Sequence, residues 1–204
     1  ASQKSHLTKA SNKQVSSKQE YSRNSAKSSS LPDLRKYPSG TPRKKAFLRT
    51  VMPYITSQNA AITAERNWLI SKQYQGQWSP AERARLKDIA KRYKVKWSGN
   101  TRKIPWNTLL ERVDIIPTSM VATMAAAESG WGTSKLARNN NNLFGMKCMK
   151  GRCTNAPGKV KGYSQFSSVK ESVSAYVTNL NTHPAYSSFR KSRAQLRKAD
   201  QEVT

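Results

Sequence analysis

Acidic residues are scarce in this sequence. The 204-residue chain has 11 Asp and Glu against 37 Lys and Arg, and its formal net charge is +26. A chain this basic is attracted to polyanions, such as nucleic acid, anionic lipid or an anionic cell-wall polymer. The charge alone does not choose among these partners.

Cysteine, glycine and proline are also few, at 2, 9 and 9 residues. These counts exclude a collagen-like repeat and a disulfide-rich miniprotein. The longest nearly apolar stretch, residues 115–127, is shorter than the ~20 residues that cross a bilayer, which argues against a spanning helix. No apolar signal-peptide core is visible at the start, although a first residue as small as Ala1 fits a mature chain after cleavage.

Residues 1–45 differ in composition from the rest of the chain. They hold eleven Lys or Arg against two acidic residues, a net charge of +9, together with eleven Ser and few large apolar side chains. Such a segment cannot bury enough surface to offset the entropy that ordering costs. We therefore predict a disordered basic tether over 1–45. A solvated linker is the simpler interpretation. The alternative is an arm that binds DNA or is weakly attracted to an anionic cell wall or membrane.

Apolar spacing predicts a mainly helical domain over residues 46–204. Phe47, Val51 and Ile55 recur at helical intervals, and Pro53 predicts that this first helix is kinked or broken. No internal repeat is visible, and the length suits one domain with a tail.

Helix starts are predicted where capping-box patterns occur. The two patterns are Ser79-Pro80-Ala81-Glu82 and Ser168-Val169-Lys170-Glu171. Residues 117–128 are small and apolar all round, which predicts a buried central helix. Residues 143–163 are rich in Gly, Lys and Asn, which predicts a small β-hairpin lobe.

Cys148 and Cys153 flank four residues inside the predicted hairpin. Two thiols without nearby His or acidic partners make a poor zinc site, and the interval is not that of a Cys-x-x-Cys redox pair. We predict a disulfide that closes a tight loop, with two unpaired thiols as the alternative. A disulfide would indicate a compartment outside the cytoplasm.

Glu128 is the only acidic residue between Asp114 and Glu171, and it ends the apolar helix. The helix C-terminus and an apolar pocket favour a protonated carboxyl, whereas nearby cations favour the charged form. A protonated carboxyl could donate a proton to a glycosidic oxygen. The structural alternative is a surface Glu paired with Lys135 or Arg138.

The residues that follow Glu128 suit a sugar site. Gly130 can end the helix in the left-handed conformation, and Gly132 lets the chain turn so that Trp131 is held beside the carboxyl. An indole face stacks on the apolar face of a sugar ring, and ordinary core packing is its alternative. The side-chain amides of the four Asn at 139–142 can form hydrogen bonds with the hydroxyl and N-acetyl groups of a sugar. The alternative is that these residues only form a turn.

The motifs Glu128-Ser129-Gly130-Trp131-Gly132-x-Ser134 and Asn141-Asn142-Leu143-Phe144-Gly145 resemble the bacterial peptidoglycan β-N-acetylglucosaminidase family. Residues 112–119 and 179–186 further resemble its Bax-like subgroup, which is found in Gram-negative bacteria. The resemblance covers about residues 46–200.

That resemblance implies a lysozyme-like, mainly α (α+β) fold with a small β-lobe over the cleft. It also implies hydrolysis of the β-1,4 bond after N-acetylglucosamine in peptidoglycan, with Glu128 as the general acid. Trp131, Asn142 and Phe144 would line the glycan cleft or shape it. Ser129 and Ser134 would brace the turn.

Two departures from the family pattern stand out. A glycosidase usually needs a second carboxylate, yet residues 143–169 contain none, and Glu171 is explained by its capping position. The substrate's N-acetyl oxygen, oriented by Tyr163 or an Asn, or a bound water would then complete the reaction. Family members also continue with a further Tyr-bearing segment, so a truncated domain is left open, and Tyr186 is a further candidate for substrate binding.

The sequence thus predicts an exported peptidoglycan hydrolase of the Gram-negative periplasm or cell envelope, with no cofactor and no metal. The alternative is a non-catalytic module of the same fold that binds peptidoglycan. A nucleic-acid-binding protein is a third hypothesis, which rests on net charge alone because no nucleic-acid motif is present. The net charge of +17 outside the tail suits a wall whose peptides carry carboxylates.

Overall fold

A computed structural model describes residues 31–148, 153 and 156–199. This part of the chain is mainly helical, which confirms the predicted fold class. It contains seven α-helices: α1 (Thr41–Lys72), α2 (Pro80–Arg92), α3 (Trp106–Arg112), α4 (Thr118–Ser129), α5 (Lys135–Asn140), α6 (Val169–Thr182) and α7 (Ser187–Lys198). Short 3-10 helices cover Leu34–Lys36 and Pro184–Tyr186.

Helix α1 runs unbroken for 32 residues through Pro53, so of the predicted kink or break, the break is not formed. Proline removes one backbone donor and leaves the carbonyl four residues earlier, that of Arg49, without its helical partner. Both Pro53 and Arg49 lie on the exposed side of α1. Water can therefore satisfy this carbonyl, and the buried stripe through Val51 and Ile55 stays in register.

The core forms where α1 packs against α4 and α6. One side of α1 supplies buried apolar side chains along its whole length: Ala46, Phe47, Val51, Ile55, Ile62 and Leu69. Helix α6 faces them with Val173, Val177 and Leu180. The long α1 is thus the scaffold on which both helices of the candidate site are fixed.

Residues 31–45 are ordered, so the predicted boundary of the disordered tether at residue 45 is wrong. Leu34 is fully buried, and the 3-10 helix that carries it is capped by the Asp33 carboxylate, which accepts from Arg35 N–H (3.2 Å). Helix α1 then starts at Thr41. The rest of the predicted tether, residues 1–30, lies outside the described residues.

Helix α4 is buried on one face only. Val121, Ala122 and Ala125 are buried, whereas Met124 is 37% exposed and Glu128, one turn later, is exposed as well. The prediction of a buried central helix therefore holds for the face that packs against α1 and is wrong for the other face. Its open face is what brings Glu128 to the surface.

A buried ionic network fixes the C-terminal helix α7. Asp114 is 1% exposed, and its carboxylate accepts hydrogen bonds from Arg197 Nε (2.9 Å) and Nη2 (2.7 Å). Arg66 adds an ion pair at 3.4 Å. Arg193, 2% exposed, donates to Asn181 Oδ1 (2.7 Å) and to backbone carbonyls before α4. Helix α7 is therefore joined to the segment after α3 by ion pairs, to α3 by packing and to α6 by the hydrogen bond to Asn181.

The predicted β-hairpin lobe is not shown. In the described part of residues 143–163, the only β-pairing is an isolated antiparallel bridge between Lys147 and Tyr163. Flanking backbone bonds join Cys148 N–H to Gly162 O (3.0 Å) and Ser164 N–H to Met146 O (3.0 Å). Residues 149–152 and 154–155 of the predicted hairpin lie outside the described residues.

A disulfide joins Cys148 and Cys153, whose Cα atoms are 5.2 Å apart. It closes the loop beside the Lys147–Tyr163 bridge. Among the helices that the structure describes, none combines the length and apolar character that crossing a membrane requires.

Candidate active site

The turn after α4 presents Glu128. Gly130 adopts the left-handed conformation (φ 55°) and Trp131 N–H donates to Ala126 O (2.9 Å), which ends the helix as predicted. Ser129 is fully buried, donates to Ala125 O (2.5 Å) and accepts from Gly132 N–H (2.9 Å). The hydroxyl of Ser129 thus braces the turn, as the resemblance implies.

Trp131 packs away from the cavity described below, against helix α1. Its ring meets Phe47 edge-on at 5.6 Å, and Lys44 Nζ lies 5.1 Å from its centroid. Gly132 (φ 79°) seats directly against Leu34, and a Cβ there would clash with it. This packing fixes the back of the turn, and the contact of Trp131 with a glycan stays a prediction.

Asn142 braces the loop that faces Glu128. The Asn142 side chain is fully buried; its Nδ2 donates to Met146 O (2.8 Å) and Ser164 O (3.0 Å), and its Oδ1 accepts from Met146 N–H (3.1 Å). With donors and acceptor engaged, Asn142 shapes the site rather than contacting a ligand. The loop that it holds carries Phe144 and Gly145.

Gly145 lies against the Glu128 carboxyl. Its φ is +63°, and a Cβ at this position would lie 2.9 Å from Glu128 Oε2. Within the described residues, the Glu128 carboxylate has no hydrogen-bond or ion-pair partner. The alternative pairing with Lys135 or Arg138 is therefore not formed, and Arg138 Nε instead donates to Thr133 O (3.0 Å). Glu128 is thus an exposed acid held beside a glycine rather than a paired surface residue.

A cavity of about 310 Å³ opens next to Gly145. It is lined by Phe144, Gly145, Met146, Lys147, Tyr176, Asn179, His183 and Tyr186. Phe144 and Tyr176 stack with centroids 4.2 Å apart and planes 3° from parallel. Burial, with smaller contributions from Tyr186 and Glu128, raises the pKa of Tyr176 to about 12. The Tyr176 hydroxyl therefore stays protonated near neutral pH and can donate a hydrogen bond into the site.

The far wall of the cavity is the turn between α6 and α7. His183 Nδ1 accepts from Ala185 N–H (3.0 Å), and the His183 and Tyr186 rings lie 6.2 Å apart. Arg190, 3% exposed, donates to His183 O (2.8 Å) and Leu180 O (3.0 Å). Tyr186, predicted from the sequence, therefore lies in the same cavity as Phe144.

Two other sequence candidates lie beside the cavity. Tyr163 is half-buried on the bridge to Lys147, and Lys147 lines the cavity. The Glu171 carboxylate accepts from Ser167 N–H and Oγ (both 2.6 Å), one residue earlier than a capping box requires. The second capping box is therefore half formed, because only the Ser168 Oγ bond to Glu171 N–H (3.1 Å) is present.

No residue that lines the cavity in the described part is acidic. Nor do any three His, Cys, Asp or Glu side chains of that part group closely enough to hold a metal ion. The groups available for catalysis or binding are thus the exposed carboxyl of Glu128, the stacked rings of Phe144 and Tyr176 with the Tyr176 hydroxyl, and the side chains of Asn179 and His183.

The sequence of this site matches a known family. Residues 105–203 match the Glucosaminidase model. Its description is mannosyl-glycoprotein endo-beta-N-acetylglucosaminidase. The match supports a glycoside hydrolase that acts on glycans. It covers Glu128 and the whole cavity lining, whereas α1 and α2 lie outside it. No solved structure was found to match the chain.

In the glucosaminidase-like segment, the sequence reasoning missed Tyr176, Asn179 and His183. Tyr176 lies at helical spacing with Val173 and Val177, which is typical of a core residue, and it is only 7% exposed. The available signal was the polar residue Asn179, three positions later on the same side of α6, followed by His183 just after the helix ends.

Proposed function

We propose that the protein is an endo-β-N-acetylglucosaminidase that hydrolyses the β-1,4 bond after N-acetylglucosamine in peptidoglycan, with Glu128 as the general acid. The observation that carries the proposal is the placement of the Glu128 carboxyl against Gly145, at the edge of a cavity walled by aromatic rings. Aromatic faces suit the apolar faces of sugar rings. The Bax-like subgroup and export to a Gram-negative periplasm or envelope belong to the same proposal.

In the proposed reaction, Glu128 donates its proton to the glycosidic oxygen. The bond from that oxygen to the anomeric carbon breaks, and a water adds a hydroxyl to that carbon while its other proton returns to the enzyme. A bound glycan would cover Glu128, which is exposed in the free protein.

The second group of the reaction is proposed to come from the substrate. With no acid among the described lining residues, the N-acetyl oxygen of the sugar can attack the anomeric carbon and be displaced by water. The Tyr176 hydroxyl and the Asn179 amide are placed in the cavity to orient that N-acetyl group. Tyr163 would act from the neighbouring bridge.

The test is mass spectrometry of muropeptides released from purified sacculi by the wild type and by Glu128→Gln. We expect the wild type to release fragments with new N-acetylglucosamine reducing ends. Glu128→Gln should release them at least about 100-fold more slowly. Because Glu128 is exposed, the unfolding free energy of Glu128→Gln should differ from that of the wild type by no more than about 0.5 kcal/mol. Glu111→Gln, which removes an acid outside the cavity, is the matched control.

A non-catalytic peptidoglycan-binding module is the second candidate, favoured by the absence of an acid among the described cavity residues. It predicts that wild type and Glu128→Gln pellet with sacculi equally and that neither releases sugar. Release that survives in Glu128→Gln would instead contradict the role of Glu128.

A further inference from the structure

A second cavity, of about 260 Å³, adjoins the candidate active site along α6. We call it the polar trough; it is lined by Lys94, Glu171, Ser174, Ala175, Thr178, Asn179 and Thr182. Asn179 also lines the first cavity, so the two cavities are neighbours that share this side chain. A ligand in the first cavity needs to extend only past Asn179 to reach the trough.

The lining of the trough differs in kind from that of the first cavity. The first cavity has the rings of Phe144, Tyr176 and Tyr186, whereas no described residue lining the trough is aromatic. Aromatic faces stack on sugars, and hydroxyl and amide groups bond peptide groups. The trough therefore suits a peptide better than a second sugar ring.

Three hydroxyls follow the floor of the trough at helical spacing. Ser174, Thr178 and Thr182 are four residues apart, so they share one side of α6 and span about 12 Å. Thr182 Oγ1 donates to Thr178 O (2.8 Å), which leaves the oxygen of Thr182 as an acceptor. The row offers donors and acceptors at intervals that follow an extended peptide.

Lys94 supplies the one positive charge among the described residues that line the trough, and Glu171 supplies the one negative charge. The Glu171 carboxylate already accepts from Ser167 N–H and Oγ (both 2.6 Å), whereas the Lys94 ammonium is open to a ligand. It follows α2 in a left-handed conformation (φ 55°), which costs free energy for a residue with a side chain. The conformation is held by Val95 N–H, which donates to Ala90 O (2.8 Å), and by Arg112 Nη1, which donates to Lys94 O (2.8 Å). Among the described residues the Lys94 ammonium has no ion-pair partner.

We infer that the polar trough binds the carboxylate-bearing peptide branch of the glycan strand that the first cavity holds. The inference rests on the proposed function, because peptidoglycan is a glycan that carries such branches. The Lys94 ammonium pairs with a peptide carboxylate, and the hydroxyl row with Asn179 bonds the peptide amides. Lys94 lies outside the family match, so this preference belongs to this chain's own α2 segment.

The test compares two substrates, glycan strands with their peptides and the same strands after an amidase has removed the peptides. For the wild type we expect kcat/KM on peptide-bearing strands to be about tenfold higher. Lys94→Asn keeps a residue that tolerates the left-handed conformation and should bring this ratio close to one. Lys96→Asn, an exposed lysine two residues later, should leave the ratio unchanged.

A preference that persists in Lys94→Asn overturns the inference and leaves the proposed function intact. If the wild type cleaves neither substrate, the proposed function fails, and a binding measurement decides about the trough. For it, a synthetic stem peptide with free carboxylates and its amidated form are titrated into the Glu128→Gln protein. The inference is supported if the amide NMR signals of Ser174 and Thr178 shift with the free-carboxylate peptide and not with the amidated one. Equal shifts with both peptides, or no shifts, overturn the inference.

Discussion

Gly145 couples the shape of the loop to the position of the acid. Its Cβ position lies 2.9 Å from Glu128 Oε2, closer than carbon and oxygen approach without a shift. We predict that Gly145→Ala displaces the Glu128 carboxyl and lowers the rate of glycan release at least about tenfold, because positioning of the acid governs proton transfer. Release of reducing ends from sacculi measures the rate.

The control separates this contact from backbone strain. Gly158 also has a positive φ (+82°), but nothing lies within 4 Å of its Cβ position. Both alanine variants should lose about 1 kcal/mol of unfolding free energy, and only Gly145→Ala should lose activity. Equal rates in the two variants would show that Gly145 does not position Glu128.

Single residues were predictable where local chemistry decides the conformation. Gly130 ends α4 in the left-handed region, because glycine alone adopts it without strain. Asn142 and Tyr176 were not predictable in their actual places. An Asn looks like a surface turn former and a Tyr beside two Val looks like core, and only the folded chain brings Asn142 under the loop and Tyr176 into the cavity.

The joining of α7 to the core depends on the ionised Asp114. Burial raises the pKa of this carboxyl, but the Arg197 hydrogen bonds and the charges of Arg66 and Arg193 outweigh it and bring the pKa below its ordinary value. A group with a lowered folded pKa stabilises the fold above its unfolded pKa of about 3.9, and this stability is lost as the pH falls below it.

We therefore predict that Asp114→Asn loses about 3 kcal/mol of unfolding free energy at pH 7, since Arg193 is then left buried without its charge partner. The difference from the wild type should shrink as the pH falls below about 4. Urea unfolding at pH 7 and pH 3 measures both values. Asp88→Asn, at an exposed i,i+4 pair with Arg92, is the control and should change by less than about 0.5 kcal/mol. A pH-independent difference for Asp114→Asn would contradict the prediction.

Helix starts and ends were predictable to the extent that capping chemistry sets them. Ser79 and Glu82 form the complete capping box that the pattern predicts. Ser168 caps α6, but Glu171 reaches back one residue further, to Ser167, because Ser167 offers both an N–H and a hydroxyl. The break predicted at Pro53 did not form, because the sequence pattern does not show that this side of α1 faces water.

The charge of the whole molecule bears on the proposed partner. With a net charge of +26, the chain should bind an anionic wall through many weak contacts that salt screens. We predict that its affinity for sacculi falls at least about tenfold between 50 and 300 mM NaCl, measured by pelleting. Sacculi with amidated carboxyl groups should bind weakly at both salt concentrations, and salt-independent binding would contradict an electrostatic contribution.

For the whole molecule, apolar spacing predicted a helical domain correctly, but the change in composition placed the start of that domain too late. Residues 31–45 look like the Ser-rich and basic segment before them, and the average hides Leu31 and Leu34. Both leucines pack against the core, Leu34 completely. Two apolar side chains are enough to order a short segment when a preformed surface receives them, which composition does not report.

The seat of Leu34 under Gly132 has a mechanical consequence. Leu34 lies near the start of the described fold and contacts Gly132. Gly132 is four positions after Glu128 in the sequence. Tension along the chain before residue 31 would act on Leu31 and Leu34, which both pack against the core, and Leu34 would pass it to the turn through Gly132. The anchor of the N-terminal segment and the proposed proton donor are thus separated by only the four positions from Glu128 to Gly132.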